Sequence, residues 1–464
     1  MFAGREGAID LQSRITEGPI WRHLLSFFFP ILLGTFFQQL YNTVDAIIVG
    51  NFVGTEALAA VGGPAAVLIN FLVNLFVGLS SGATVIVAQY YGARQIQELR
   101  RTVHTAIALA IAAGLGVMVL GIALSYPVMV LMGTPAEVMD YSLIYLRIYF
   151  VGSIASFLYN VGSSVLRAIG DTKRPLYFLI AACLTNIVLD LIFVVGFGLE
   201  VLGVALATVL SQIVSAVLVM LVLCRPDSIF CIARKEIRFH PDILKSILRI
   251  GLPTGLQSDM YTISNMLIQS CINSFGTSTM AAWTAFCKLD AFYWMISGAF
   301  GISITTFVGQ NFGAQRYDRV RKSVRVCLLL SLVTALLVSG LYALGAQPLL
   351  RMFSTDTQVI EIGTFILWRM SPFYFTFICV EVMAGAIRGT GDSLKPMLLT
   401  CGGVCVLRVV WIFTVLPLDR TLGTLLLSYP MTWSITSLLF IIYYVRGNWM
   451  PRQIQKYGFS EEQP

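Results

Sequence analysis

Charged residues are scarce in this sequence. Of its 464 residues only 12% are Asp, Glu, Lys or Arg, whereas 57% are hydrophobic and the mean hydropathy is +0.80. A soluble domain carries about twice that share of charge, so an ordinary soluble fold is excluded. Apolar runs such as 102–125 and 176–195 are long enough to cross a bilayer. They show no alternation of apolar and polar residues, which argues against a barrel and predicts an all-α membrane protein.

Motifs for several kinds of chemistry are also missing. No GxxxxGK[ST] loop is present, which argues against transport driven by ATP. The nine cysteines have no ligand spacing and mostly fall in apolar runs, where cysteine acts as a small hydrophobe. The only histidines, His23, His104 and His240, are not accompanied by a Ser/His or metal-ligand cluster. We therefore expect no enzyme activity, no cofactor and no metal centre. No cleavable signal peptide is expected either, because the first apolar run is too long.

Basic residues indicate the topology of twelve predicted helices. The helices are expected near 24–50, 57–90, 102–125, 142–168, 175–197, 201–224, 245–273, 280–310, 323–347, 359–388, 395–417 and 421–446. Basic residues gather at both termini and in the even-numbered loops, while the odd-numbered loops carry almost none beyond Arg351 and Arg420. By the positive-inside rule, both termini and the even loops are cytoplasmic. The net charge of +7 thus reports topology and does not indicate a nucleic-acid partner.

Two sequence blocks return 221 positions later. The block "QYYGA" at Gln89 returns as "QNFGA" at Gln310, and "LRAIGDTKRP" returns as "IRGTGDSLKP". A shared offset indicates a duplicated unit, and an even number of helices in each copy leaves both copies in the same orientation. We therefore expect two six-helix lobes related by a pseudo-two-fold axis along the membrane normal. The predicted segments are an N-terminal segment 1–23, an N-lobe 24–224, a linker 225–244, a C-lobe 245–446 and a tail 447–464.

Glycines in the first repeated block indicate how two helices end. Gly92 and Gly313 follow long apolar runs. Helices often end on a left-handed residue, for which glycine has no steric penalty. We expect both glycines to be left-handed caps.

The N-lobe contains two carboxylates inside predicted spans. Asp45 lies five residues before Gly50, Asp190 lies just before the hairpin that begins at Gly196, and Thr208 lies on the returning helix. At 1.5 Å per residue these positions share one depth in the outer half of the bilayer. Asn186 lies one turn from Asp190 on the same helix face. Ionisable groups inside spans tend to mark ion paths, and this oxygen-rich set suits a hard cation or proton exchange. The alternative is polar packing between helices.

The C-lobe does not repeat this set. It carries its own charged residues within spans, and we interpret them either as a structural ion-pair network or as substrate contacts: Asp259, Lys288, Asp290, Glu381 and Arg408. The expected pairs are Asp290 with Arg408, and Lys288 with Asp259 or Glu381.

Nearly the whole chain resembles the multidrug and toxic compound extrusion (MATE) family. The resemblance depends on "VGNFVGTEALAAVG", "AQYYGA", "GQNFGA", the two blocks that contain Asp171 and Asp392, and "TNIVLDLIFVVGFGLEVLGVALATVLSQ". It implies a secondary antiporter that exports drugs or toxic, often cationic, organic compounds in exchange for Na⁺ or H⁺, by rocking of two lobes. It also implies a cation site at Asp45, Asn186, Asp190 and Thr208, and a bend of helix 1 at Pro30. The family's helix 7 glutamate is absent, which argues against a Na⁺ site in the C-lobe.

Two other functions are compatible with the sequence. One is a lipid-linked glycan flippase of the same superfamily, although acidic residues in the N-lobe favour cationic cargo. The other is a channel or receptor that does not transport actively. The expected partners are small organic substrates and the lipid bilayer, with the chain as a monomer in the cytoplasmic (inner) membrane.

Overall fold

The computed structural model describes residues 14–226, 228–230 and 232–457, and every regular element in these ranges is helical. Residues 1–13 of the predicted N-terminal segment, positions 227 and 231 of the linker and residues 458–464 of the tail lie outside the described residues. The α-helices are α1 Ile20–Phe52, α2 Thr55–Gly62, α3 Pro64–Gly92, α4 Ile96–Leu131, α5 Ala136–Val151, α6 Ser153–Ala168, α7 Lys173–Asp190, α8 Glu200–Leu223, α9 Pro241–Asn273, α10 Thr277–Gly313, α11 Tyr317–Arg351, α12 Thr357–Met370, α13 Ile378–Gly389, α14 Leu394–Thr400, α15 Leu407–Thr414, α16 Leu422–Arg446 and α17 Trp449–Tyr457.

The predicted fold class, an all-α membrane protein, is confirmed. In the described part of the chain, ten helical stretches are long and apolar enough to cross a bilayer. The pair α5 and α6, bent by 50°, makes an eleventh span if it is counted as one. Helix α9 has the length of a span at 33 residues but is more polar, with Asp242, Lys245, Arg249 and Asp259. Twelve spanning helices are therefore consistent with the structure.

Several predicted helices are interrupted rather than continuous. The second predicted helix is divided between α2 and α3 at Gly63, and the fourth is divided between α5 and α6 at Gly152. Two π segments, Leu191–Gly196 and Cys401–Val406, and one 3-10 segment, Ser371–Phe377, interrupt three others. Periodicity of apolar residues does not reveal such breaks, because both sides of each break are equally apolar.

The chain forms two compact units. The first contains Phe29–Leu252, and the second contains Ile15–Phe28 together with the chain from Pro253 onward. Helix α1 therefore starts in the second unit and continues in the first, whereas α9 starts in the first and continues in the second. The predicted lobe boundaries at 24 and 245 stay a prediction.

The first unit contains two buried apolar clusters. One lies among α3, α4, α6 and α8, with fully buried side chains such as Leu99 and Val165. The other surrounds the ends of α1 and α7 and the start of α8, and it contains Val49, Val194 and Val204. These three residues flank the candidate site residues along the chain, so the second cluster holds the helices that carry the site.

The second unit packs around helix α10. Helices α11, α12 and α13 all pack against α10, and α16 packs against α12 and α13. A buried aromatic group fills this region, including Tyr293, Tyr374, Phe377 and Trp433. The rings of Tyr293 and Tyr374 are stacked with centroids 3.9 Å apart.

The repeated sequence blocks form matching loops, but the predicted caps were wrong. Gly92 and Gly313 are the last residues of α3 and α10, and neither has a positive φ. The left-handed residues come two positions later, at Arg94 (φ 59°) and Gln315 (φ 57°). Each helix continues through its glycine because backbone hydrogen bonds from the next residue close a further turn. The left-handed positions are again 221 residues apart, so the duplication extends to backbone conformation.

Candidate functional site

The candidate site in the first unit is carried by three helices. Asp45 lies in α1, Asn186 and Asp190 lie in the last turns of α7, and Thr208 lies in α8. Asp190 is the final residue of α7 before the π segment Leu191–Gly196. Single π turns inside helices are frequent at functional sites, because the extra residue turns the adjoining side chains to a new direction.

The structure brings these four side chains together. They are buried, with exposed fractions of 6% for Asp45, 0% for Asn186 and Asp190, and 1% for Thr208. Asp45 interacts with Asp190, Asn186 and Thr208. The Thr208 hydroxyl also donates to the Val204 carbonyl at 2.9 Å. Residues from three helices therefore meet at one buried point.

Most polar atoms in this cluster have no hydrogen bond of ordinary geometry. In the described part of the chain this holds for Asp45 Oδ1, for both carboxylate oxygens of Asp190, and for Oδ1 and Nδ2 of Asn186. Buried polar atoms are nearly always paired, and two neighbouring carboxylates without a cation repel each other. No lysine or arginine among the described residues forms an ion pair with either one. A bound cation or a shared proton would satisfy this arrangement.

Two tyrosines near the cluster were not predicted as site residues. Tyr41, one turn before Asp45 in α1, interacts with both Thr208 and Asp45. Tyr145 in α5 lies near both carboxylates, and it is only 8% exposed. The i, i+4 spacing to Asp45 was a usable signal for Tyr41. Nothing in the sequence marks Tyr145, because its helix is distant along the chain and α5 carries several tyrosines.

Asp290 in the second unit has neutral hydrogen-bond partners. Its Oδ1 accepts from the Tyr374 hydroxyl and its Oδ2 accepts from Trp294 Nε1, both at 2.6 Å. The Tyr374 ring stacks on Tyr293, whose own hydroxyl donates to the Tyr374 carbonyl at 2.9 Å. Both carboxylate oxygens are therefore held by a rigid aromatic group, in contrast to the oxygens of Asp190.

Asp290 does not form its expected ion pair with Arg408 in the described part of the chain. Arg408 is buried, donates to Asn265 Oδ1 at 3.1 Å, and lies over the Tyr429 ring at 4.0 Å. Lys288 is exposed, Asp259 is buried and Glu381 is partly buried. Asp290 and Arg408 thus belong to separate sites, because α10 directs Asp290 to the aromatic group and not to Arg408. The pairing of Lys288 with Asp259 or Glu381 stays a prediction.

Pro30 lies inside α1, ten residues after the start of that helix. A proline inside a helix removes one backbone hydrogen bond and clashes with the preceding turn, which favours a bend. The predicted bend at Pro30 therefore has a physical basis, and it stays a prediction.

One family model matches both halves of the chain. The family model described as MatE matches residues 30–192 and again residues 253–414. The "Probable multidrug resistance protein YoeA" of Bacillus subtilis is 27% identical over 449 residues, which cover 94% of this chain and 96% of that protein. The "FAD transporter" of Shewanella oneidensis is 25% identical, covering 90% of this chain and 93% of its own length.

The fold is also similar to solved structures. A transporter of the MOP superfamily from Pyrococcus furiosus superposes with a TM-score of 0.87 at 22% identity, covering 99% of this chain and 100% of that one. At this identity the likeness establishes the fold alone.

Proposed function

We infer the function from one premise: this chain belongs to the MatE family, whose model matches both halves. We propose that it exports small organic compounds from the cytoplasm in exchange for Na⁺ or H⁺. In this proposal the chain works as a monomer in the cytoplasmic membrane, with both termini on the cytoplasmic side. Relatives named as multidrug resistance proteins support this class of cargo.

One observation carries the coupling part of the proposal. Asp45 and Asp190 are buried next to each other, and five polar atoms of the Asp45, Asn186 and Asp190 side chains lack partners among the described residues. Such an arrangement is costly unless a positive charge enters it. The cluster is therefore suited to take up and release one cation during each transport cycle.

Coupling follows if the cation and the cargo prefer different states of the protein. Na⁺ or H⁺ enters from the outside, where its activity is higher, and binds to Asp45 and Asp190. Binding favours the state that releases cargo outward, and release of the cation to the cytoplasm resets the transporter by rocking of the lobes. The coupling free energy is set by the difference in cation affinity between the two states.

Transport into inside-out vesicles tests this proposal. Vesicles that contain the full-length protein are loaded with a high Na⁺ concentration or a low pH. They are then diluted into a medium that lacks Na⁺ or has a higher pH, which creates the gradient, and ethidium is added as a cationic dye. We expect dye accumulation to require one of the two gradients, which identifies the coupling ion. Accumulation that ignores both gradients would reject cation exchange.

Matched variants locate the coupling site. Asp45→Asn and Asp190→Asn should each reduce gradient-driven accumulation by at least about tenfold, since each removes a charge that binds the cation. Asp140→Asn makes the same chemical change at an exposed position of α5 and should leave accumulation unchanged. Wild-type transport by Asp190→Asn would place the coupling site elsewhere.

A second candidate cargo is anionic. The relative from Shewanella oneidensis is named for FAD, and this chain buries Arg408, whose guanidinium lies over Tyr429. Arginine on an aromatic face is suited to flat rings and phosphates. Competition in the vesicle assay distinguishes cationic from anionic cargo. Excess FAD should suppress ethidium accumulation only if anionic flavin nucleotides use the same transport path as the dye.

A further inference from the structure

A small cavity lies within the second unit, lined by α10, α11 and α13. Its volume is about 10 Å³, which is room for one water-sized occupant. Four of the nine lining residues carry side-chain oxygens, namely Tyr293, Ser297, Ser331 and Glu381, and the other five are apolar. An apolar cavity of this size stays dry, but a cavity with several polar groups can hold an ordered water.

Glu381 contributes a carboxylate to this cavity. In the described part of the chain it forms no ion pair, and no side chain or backbone group is hydrogen-bonded to it. Its carboxylate is packed against Gly301 of α10 so closely that a Cβ there would overlap Oε1 and lie 2.9 Å from Cδ. The missing side chain at Gly301 therefore creates the space that Glu381 occupies.

A second polar group in the cavity, Ser331, has no strong partner. Ser331 is 7% exposed, and its Oγ has no hydrogen bond of ordinary geometry among the described residues. Its polar neighbour one turn earlier is the thiol of Cys327, a weak partner. By contrast, the Tyr293 hydroxyl is already engaged with the Tyr374 carbonyl. A carboxylate and a hydroxyl with only a weak thiol partner thus line one water-sized space.

The titratable and charged groups that interact with Glu381 come from four helices. They are Tyr261 in α9, Tyr293 in α10, Cys327 in α11 and Arg388, two turns further along α13. Arg388 is the one cation among them, and it forms no ion pair with Glu381. The charge of Glu381 is therefore not neutralised by direct contact with a cation.

We propose that Glu381 is a second protonation site, which exchanges its proton through one water molecule in this cavity. Hard metal cations usually take about six oxygens, and here a carboxylate and two serine hydroxyls are on offer. A proton needs none of these extra ligands. On uptake, a hydronium ion transfers its proton to a carboxylate oxygen of Glu381 and remains as water, and release reverses this step. The Ser331 hydroxyl can donate to the charged carboxylate and accept from the protonated one.

This site is separate from the Asp45 and Asp190 cluster, because it lies in the other unit and shares no residue with it. Its existence does not depend on the proposed antiport, since protonation can be measured without any transport. A protein with no cation-driven export could still bind a proton at Glu381.

Infrared difference spectroscopy of the purified full-length protein tests the proposal. Spectra are recorded over a pH series in potassium buffer without Na⁺, for wild type, Glu381→Gln and the control Glu361→Gln, which alters an exposed glutamate of α12. We expect a C=O band of a protonated carboxyl group that disappears as the pH rises. The band should be lost in Glu381→Gln and kept in Glu361→Gln.

Two further measurements keep the test decisive. Ser331→Ala should keep the band but shift the pH at which it disappears, an effect that a purely structural role of the hydroxyl would not produce. An identical band in Glu381→Gln with unchanged thermal unfolding would overturn the proposal. Loss of the Glu381-dependent band, taken as the wild-type spectrum minus that of Glu381→Gln, when Na⁺ is added at constant pH would also overturn it, because the site would then bind a metal ion.

Discussion

The two units contain the same cavity with different linings. The first unit has a cavity of about 10 Å³ among α3, α4 and α6, and its only polar lining residue is Ser80. The cavity in the second unit has the same volume but contains a carboxylate and three hydroxyl groups. Five lining positions correspond at the 221-residue offset: Phe76 with Ser297, Leu79 with Phe300, Ala110 with Ser331, Phe157 with Ile378, and Val161 with Val382.

The difference shows which properties follow from the duplication and which do not. Helix packing creates the void in both copies, so the void belongs to the shared frame. Its polarity differs between the copies through single residues, such as Ser331 at the position that matches Ala110. The carboxylates without an ion pair also differ between the copies, since Asp45 and Asp190 occur in the first unit and Glu381 in the second. Each unit therefore has its own candidate site for a positive charge, in a different place.

The largest expected effect on stability comes from filling the space beside Glu381. Gly301→Ala places a Cβ against the carboxylate and should lower the free energy of unfolding by about 1–3 kcal/mol, as for other overpacked sites. The matching position in the first unit is Ser80, which already carries a side chain, so Ser80→Ala should have a smaller effect. Thermal unfolding in detergent measures both.

A double variant tests whether Glu381 causes that loss. In Gly301→Ala combined with Glu381→Ala the clash is removed, and the two changes should be non-additive by about 1 kcal/mol or more. Additive losses would mean that Gly301 is required for a contact other than the one with Glu381.

The next largest loss of stability is expected at Asp290, the carboxylate whose two oxygens both accept hydrogen bonds. Asp290→Asn replaces an acceptor by an NH₂ group, which leaves either the Tyr374 hydroxyl or Trp294 Nε1 without its acceptor. An unpaired buried donor costs about 1–3 kcal/mol, so the apparent melting temperature should fall. The near-ultraviolet circular dichroism of the aromatic group should change as well. An unchanged melting temperature would show that these two hydrogen bonds contribute little.

Asp190→Asn should raise the stability of the protein, whereas Asp290→Asn should lower it. The Asp190 oxygens have no partners among the described residues, and the carboxylate lies beside Asp45. Removing one of two adjacent charges should therefore raise stability by about 1 kcal/mol, while export is lost. The same thermal unfolding assay at neutral pH measures this effect. A decrease similar to that of Asp290→Asn would mean that Asp190 has a structural role.

The sequence predicted the spans and the members of the first site because both depend on regular helix geometry. Apolar runs define the helices, glycines mark the hairpin ends, and a rise of 1.5 Å per residue then places Asp45, Asp190 and Thr208 at one level. The repeated blocks predicted the duplication, which agrees with the two matches of the family model.

Contacts between distant helices could not be predicted in this way. Asp290 and Tyr374 are 84 residues apart, and Asp290 was expected to pair with Arg408 because a buried charge usually needs an opposite charge. Two neutral donors fulfil that need instead. The cavity at Glu381 was equally hidden, because it depends on a missing side chain at Gly301 in another helix.

The smallest expected effect tests the repeated loops, where the two units are most alike. Asp171 Oδ1 accepts from the Arg174 backbone N–H at 3.1 Å, and Asp392 Oδ1 accepts from the Lys395 backbone N–H at 3.3 Å. Asp171→Ala and Asp392→Ala should each cost about 1 kcal/mol or less, as for other residues that cap a helix start, and the two losses should be similar. Asp171 also forms an exposed ion pair with Arg174 at 3.2 Å, which adds little.

Asp171→Asn keeps the acceptor and removes the ion pair, so its melting temperature should stay close to that of wild type. If Asp171→Asn lost as much stability as Asp171→Ala, the ion pair would be the main contribution, and the two loops would resemble each other in backbone conformation but not in energetics.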